Sequence, residues 1–416
     1  MTRLSESDGR VRVGDGPVRQ ASLRAHNLAI VLGHVAGSPR PPSRAAVATA
    51  TGLTRATVST LVDELIGGRL LTEVDPAPRA GAGRPAAGLR LSRDGPAGLG
   101  LEVNVDYLAT CVVDLAGEVR HHAVSPGDQR RRPPAAVLAD VAALAAAAVK
   151  AATAAGLTVA GAALAVPGLV ANDSVVRLAP NLGWRDVEVR SALLSRRPLR
   201  GLALAVENEA NLAALGELHA AGGAGSPNFV YVSGEIGVGA GIVVDGRLFR
   251  GSRGWSGELG HTTIAPDGRR CRCGSRGCLE QYASQEAIAR AAGLTLDGAA
   301  AGEEVATVLA ERAAAGDAGT LRSLREAGAA LGLAAAGVVN LFDVDTVVLG
   351  GIYAPLEPWL REPVARELAE RVVTAGWAPV TVRRSALGTR ATVVGAAGSV
   401  VRALRDAPAA WLAATA

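Results

Sequence analysis

The chain has 416 residues, enough for more than one hydrophobic core, since single cores rarely grow past about 250–300 residues. Its 49% hydrophobic and 20% charged content reads as a water-soluble folded protein and excludes a disordered one, while four cysteines exclude a disulfide scaffold. The net charge of +4 is uneven: residues 1–95 hold 13 arginines against 8 acids, and the remainder 30 basic against 31 acidic residues, which predicts a basic, nucleic-acid-binding head on a near-neutral body.

No run of about 18 uncharged apolar residues is present, and the apolar run from Val137 to Val149 carries Asp140, so neither a membrane-spanning helix nor a membrane partner is expected. The opening "MTRLSESDGRVRVGDG" has no apolar core and does not read as a signal peptide. A cytoplasmic protein is the expectation.

In chain order, residues 1–18 are polar and predict a disordered start. "RQASLRAHNLAIVLGHVAG" then predicts a helix with Leu23, Leu28, Ile30, Val31 and Leu32 on a broad apolar face. Ser43, after two prolines, is placed to cap a short helix through Thr49. Gly52 breaks that helix, and Thr54 caps the next. In that next helix Val58, Leu61, Val62 and Leu65 recur at i, i+3, i+4 and i+7. Arg55, Thr57, Ser59 and Thr60 are left near its exposed N-terminal end, as in a helix-turn-helix that enters the major groove. "LLTEVDPAPRAGAGRPAAGLRLS" follows as strand, basic tip and strand, a wing. Arg79, Arg84 and Arg90 are candidate phosphate contacts, with Gly83-Arg84-Pro85 suited to a narrow minor groove. The predicted DNA-binding domain is 19–92, with Arg44, Arg55, Thr57, Ser59, Thr60 and Arg84 as its candidate contacts to double-stranded DNA.

From about Leu99 the character changes. "GLGLEVNVDYLATCVVDLAGEVRHHAV" predicts two or three strands with a turn at Leu115–Glu118, and an alanine-rich helix is expected over Ala135–Ala155. Strands in "VAGAALAVPGLV", "GLALAVENEANLAALGELHAAGG", "FVYVSGEIGVGAGIVVDGRLFRG" and "VDTVVLGGIYAP" follow, and a last helix is expected from about Gly395 to Leu404. Two similar halves of alternating strands and helices predict an α/β fold with a cleft between lobes, spanning 93–416.

"HTTIAPDGRRCRCGSRGCLEQY", from His261 to Tyr282, packs three of the four cysteines into eight residues. Cys271-x-Cys273-x4-Cys278 offers three thiolates in a glycine-rich turn, and His261 can close a tetrahedron. This Cys3His set, in a knuckle over 261–280, favours structural Zn2+, which takes sulfur and imidazole ligands and here needs no open position. Gly274 and Gly277 allow the backbone to wrap. Cys111, on an apolar strand, reads as core, and Arg269, Arg270, Arg272 and Arg276 read as solvated.

The sequence resembles the ROK family (repressors, open reading frames and sugar kinases) over nearly all of residues 20–405. "GELGH" followed by "CRCGSRGCLE", with "ENEANLAALGE", "GEIGVGAGIVVDG" and "VVLGG", carries the resemblance. It is similar to the branch with an N-terminal winged helix, the sugar-responsive transcriptional regulators. The resemblance implies the actin-like ATPase (ribonuclease H-like) fold. It also implies sugar contacts from Asn181, Asn208, Glu209, Glu258, His261 and Glu280, with zinc on one imidazole nitrogen orienting the other toward a ligand hydroxyl. Carboxylates and amides suit a pyranose, whose many hydroxyls they can pair with.

Two functions compete at this stage. A kinase of the family needs a catalytic Asp as base and a first phosphate loop of the form Asp-x-Gly-x-Thr. "ENEAN" places Glu209 where the kinases have that Asp, and "LEVNVDYL" has Glu102, Asn104 and Asp106 with no glycine. The extra methylene displaces the carboxylate by about one C–C bond, a misplacement that can cost roughly 100-fold, and the acids of the loop would repel phosphates. The second loop, Gly234-Glu235-Ile236-Gly237-Val238-Gly239, is intact. The expectation is therefore a sugar-responsive repressor without a catalytic residue. Its effector would be a sugar or sugar phosphate, its operator palindromic, and its assembly a homodimer or homotetramer. The alternative is an ATP-dependent sugar kinase with a DNA-binding head.

Overall fold

The computed structural model describes residues 20–75, 87–172, 174–220, 225–234, 236–294 and 302–415. The predicted disordered start lies outside them, as do Arg79, Arg84 and Glu235. Two units are distinguished: residues to Leu91 together with Arg405–Ala416, and Ser92–Leu404.

The first unit begins with α1 (Gln20–Gly37), α2 (Arg44–Thr51) and α3 (Arg55–Gly67). Ser43 Oγ accepts from the Ala46 amide and Thr54 Oγ1 from the Thr57 amide, each at 3.2 Å. Each cap satisfies one amide that a helix start leaves without a partner. Gly52, at φ 72°, ends α2 in the left-handed region. Leu28, Val31, Leu32 and Val35 of α1 are buried with Val47, Val58, Leu61, Val62 and Leu65. The expected face of α1 was too broad: Leu23 is 52% exposed and Ile30 only half-buried. Strands β1 (Leu71–Val74) and β2 (Gly88–Leu91) pair antiparallel with Leu71 opposite Leu91.

In the second unit, β3 (Pro96–Val103), β4 (Tyr107–Asp114), β5 (Val119–Pro126), α4 (Pro134–Ala154) and β6 (Thr158–Val166) are followed by a small antiparallel sheet. That sheet comprises β7 (Leu169–Ala171), β8 (Val175–Ala179) and β9 (Trp184–Glu188). Then come α5 (Val189–Leu194), β10 (Ala203–Asn208) and α6 (Glu209–Ala220). The second half holds β11 (Phe229–Gly234), β12 (Val238–Val244), β13 (Arg247–Leu248), α7 (Glu280–Ala283), α8 (Gln285–Ala291), α9 (Gly302–Ala314) and α10 (Ala318–Phe342). It continues with β14 (Thr346–Gly351), α11 (Tyr353–Arg371), β15 (Thr381–Arg384) and α12 (Ala391–Asp406).

The two five-stranded sheets, β5-β4-β3-β6-β10 and β13-β12-β11-β14-β15, share one topology. In each, an antiparallel hairpin partner flanks the first strand and two parallel strands follow on its other side. This duplication is the two-lobed α/β fold that the alternation of strands and helices predicts. Helices α4 and α10 are long and apolar enough to cross a membrane by length and composition. Each buries a face in its lobe, Val137, Leu138 and Val141 in one and Leu324, Leu331 and Val339 in the other.

Helices α6 and α12 meet through glycine. A Cβ on Gly395 would lie 1.9 Å from the Leu212 carbonyl oxygen, so only hydrogen fits there. The chain also continues beyond the expected last helix, into α13 (Pro408–Thr415). This segment was expected to belong with the sugar-binding lobes, yet it groups with the first unit. There Trp411 Nε1 donates to the Gly68 carbonyl at 2.9 Å and Leu412 packs on Gly68. An eight-residue apolar helix carries no pattern that says which surface it covers, so only the tertiary contacts reveal it.

Candidate functional site

Residues 262–279 form a tight ribbon. Leu279 N–H donates to Thr262 O at 3.0 Å, Ile264 N–H to Gly277 O at 2.8 Å, and Cys271 N–H to Ser275 O at 2.9 Å. Its turns bring His261, Cys271, Cys273 and Cys278 together with all ligand atoms within 4.8 Å of one another. Cys273 and Cys278 sulfurs are 3.7 Å apart, and Cys271 Sγ is 3.8 Å from His261 Nδ1. A tetrahedral zinc with bonds of about 2.3 Å to sulfur and about 2.0 Å to nitrogen sets those edges near 3.8 and 3.6 Å. The cluster can hold a metal, and its chemistry and spacing fit zinc. Nδ1 is the nitrogen that faces the cysteines, which leaves Nε2–H for a ligand. Cys111 stands apart in β4, fully buried, with its thiol pushed up to about 12 by burial.

His261 also lines a cavity of about 560 Å³ between the lobes of the second unit, together with Asn181, Asn208, Glu209, Glu258 and Glu280. All the residues singled out for a sugar therefore face one space, although they come from four separate stretches of the chain. Glu209 opens α6, and burial, then Glu258, push its carboxyl up to about 7. Glu258, at the rim, is raised by loss of solvent, and His261 opposes the rise.

Asn208 has a local task that the motif did not reveal. Its Oδ1 accepts from the Ala210 and Asn211 amides at 2.8 and 3.3 Å, and its Nδ2 donates to Gly168 O at 3.0 Å. It caps α6 and fastens the β6–β7 turn, so one amide hydrogen remains for a ligand. Glu280 accepts from the Cys271 thiol at 2.9 Å, which ties the cleft to the cysteine ribbon.

The expected repulsion at the first phosphate loop takes a different form. Glu102 is 2% exposed and its carboxyl is pushed up to about 8, mainly by burial. It is therefore neutral near pH 7, accepting from the Tyr107 hydroxyl at 2.8 Å. Asp106 pairs with Arg130 at 3.2 Å. At Glu102 the loop therefore holds a protonated carboxyl instead of a charge, because a carboxyl without solvent holds its proton.

Arg269 and Arg272, expected to be solvated, are exposed and also make contacts. Arg269 lies over the Tyr282 ring at 5.1 Å and donates to Gln281 O. Arg272 lines the cleft, a role that its position between two cysteines could have signalled.

On the first unit, Arg55 is exposed at the start of α3, and Thr60 lies on the exposed surface of the same helix. Thr57 and Ser59 are half-buried. Thr57 Oγ1 is 2.8 Å from Thr54 Oγ1, and Thr60 Oγ1 donates to Ala56 O. Arg44 is engaged within the unit, donating to Ser59 Oγ at 3.1 Å and pairing with Asp63 at 2.6 Å and Glu73 at 2.9 Å. Two carboxylates hold it, so a DNA phosphate would have to displace them, and Arg55 is the freer cation. Arg55→Ala should weaken specific operator binding by about 1–3 kcal/mol if its guanidinium reads a base. Titration of labelled operator at several salt concentrations checks this, and an unchanged affinity would remove Arg55 from the interface.

The ROK family profile matches residues 98–402. The chain belongs to the ROK family. A putative xylose repressor of Caldicellulosiruptor is 31% identical over 375 residues, covering 87% of this chain and 92% of that protein. A glucokinase of Streptomyces coelicolor is 33% identical over 238 residues, covering 54% of this chain and 74% of the kinase. Among solved structures, a ROK family transcriptional regulator, described as a homolog of the E. coli MLC protein, superposes with a TM-score of 0.76. It is 26% identical and covers 95% of this chain and 100% of that one. As a ROK protein the chain has the actin-like ATPase fold. The match to the putative xylose repressor covers 87% of this chain, whereas the match to the kinase spans little more than half of it.

Proposed function

We propose that this ROK protein is a cytoplasmic, sugar-responsive transcriptional repressor. The observation that carries the reading is that one chain joins a capped helix-turn-helix to a cleft where three carboxylates and a metal-ready histidine converge. α3 enters the major groove of a double-stranded operator, and a sugar sits in the cleft. A structural Zn2+ on His261, Cys271, Cys273 and Cys278 fixes the imidazole. The protein works as a homodimer or homotetramer on a palindromic site, its recognition helices about one DNA turn (about 34 Å) or a multiple apart. A sugar that binds the closed lobes more tightly than the open ones shifts the protein toward a spacing that no longer fits the operator.

Kinase chemistry does not fit as well. Glu209 stands where a kinase has its shorter base, and the first phosphate loop has Glu102, buried in β3, and no glycine. Both positions suit a protein that keeps the sugar and has given up ATP.

Glu280→Gln tests the reading. The variant should bind operator without sugar as the parent does but need roughly 10–150-fold more sugar for release, since a hydrogen bond to a charged acceptor contributes about 1.5–3 kcal/mol. Because Glu280 touches Cys271, metal content must be measured alongside. A zinc-replete variant with an unshifted response would remove Glu280 from the sugar site. Turnover of ATP and sugar by the parent at about 1–1000 per second would instead establish the kinase.

A further inference from the structure

We propose that the effector is a sugar bearing an anionic group, and that Arg270, Arg272 and Arg290 hold this group in a side pocket off the cleft. The inference rests on the cleft being the sugar site. The side pocket, about 180 Å³, shares Asn181, Ile236, Arg272 and Glu280 with the larger cavity. A ring held by Asn181 and Glu280 therefore has a short substituent at the mouth of the arginine pocket.

The cations there are available. Among the described residues, no hydrogen bond or ion pair engages the side chains of Arg270 and Arg290, and Arg272 meets Glu286 only at 3.5 Å. Glu286 and Arg290 stand at i and i+4 on α8, the spacing at which such a pair forms on a helix. Glu286 nevertheless pairs with Arg272, and Arg290 remains at the pocket wall. Against three guanidinium groups the pocket has two carboxylates, Glu280 and Glu286.

The two compartments thus differ in sign. The cleft sets three carboxyl groups, Glu209, Glu258 and Glu280, against Arg185 and Arg272, and its carboxyls suit hydroxyl donors. The side pocket offers planar guanidinium forks, which match phosphate or carboxylate in paired hydrogen bonds. A neutral sugar satisfies only the first compartment. An anionic one is oriented by both, with its charge directed at the knuckle that carries two of the arginines.

The test uses full-length, zinc-loaded protein and calorimetric titration with D-glucose, D-xylose, D-glucose 6-phosphate, D-glucuronate and inorganic phosphate. An anionic sugar should bind about 10–100-fold more tightly than its neutral parent, the range of one charge-assisted contact. Whether the phosphate or the uronate shows the gain identifies the source of the charge. Arg290→Gln, which leaves the knuckle untouched, should lower the ratio of anionic to neutral affinity about tenfold, and Arg270→Gln should do the same. Neutral sugars that bind as tightly as anionic ones, with the ratio unmoved by Arg290→Gln, would overturn the inference and leave the repressor reading standing. If none of these probes binds or alters operator affinity, both fall together.

Discussion

Cys273→Ser protein is expected to purify without zinc and to hold its operator at every sugar concentration. The four donors lie within 4.8 Å of one another, so removing one thiolate leaves an incomplete ligand set with an open side at Cys273, the exposed member of the set. In zinc-finger peptides a structural zinc supplies about 10–16 kcal/mol of apparent binding free energy, more than the few backbone hydrogen bonds of this ribbon can replace. The consequence reaches the cleft through His261, whose Nδ1 faces the cysteines, and through Glu280 beside Cys271. Operator binding without sugar, assigned to the first unit in the proposed function, should persist.

Gly277→Ala gives an independent route to the same state with every ligand intact. Gly277 has φ 67°, and a Cβ there would lie 1.6 Å from Ala265 O, so the ribbon must open to admit a methyl group. Metal analysis and operator titration with and without sugar measure both variants. Full sugar response from protein shown to contain no zinc would overturn the role assigned to the knuckle.

Stability of the second unit should fall as pH rises from about 5 to 8, opposite to the common trend for carboxylates held in salt bridges. Burial pushes Glu102 up to about 8 and Glu209 up to about 7, from an ordinary value of 4.5. Below 4.5 folded and unfolded chains both carry the two protons. Between 4.5 and the raised values only the folded chain keeps them, so each pH unit costs about 1.4 kcal/mol per retained proton until the folded carboxyl also ionises. The loss stops above about 8. Glu102→Gln keeps an acceptor for Tyr107 and removes the charge, so it should flatten the slope and stabilise the protein at pH 8 by an amount on the order of a few kcal/mol. Denaturant midpoints across this range, parent against variant, decide it. Parallel curves would show that Glu102 does not bind a proton on folding.

What the amino-acid order determined by itself was local. Helix starts at Ser43 and Thr54, the break at Gly52 and the heptad-like Val58–Leu65 face follow from neighbours one to four positions apart, where capping and periodicity act. The Cys3His spacing is equally local, since a metal site within eighteen residues needs only glycines that let the backbone turn. The resemblance to ROK proteins added the candidate sugar residues, and the fold brings them to one cavity.

The tertiary structure alone decided the electrostatics and the long-range fastenings. Glu102 reads as a charge in sequence and is a neutral, buried carboxyl in the fold, because desolvation depends on what the distant β6 and α6 bring around it. Arg44 reads as a DNA contact, yet Asp63 and Glu73 hold it. Asn208 reads as a ligand and also caps a helix. The final helix, α13, belongs with the first unit although more than 300 residues separate Trp411 from the Gly68 carbonyl it meets. Burial, ion pairing and docking are set by which surfaces meet, and local order does not encode those meetings one at a time.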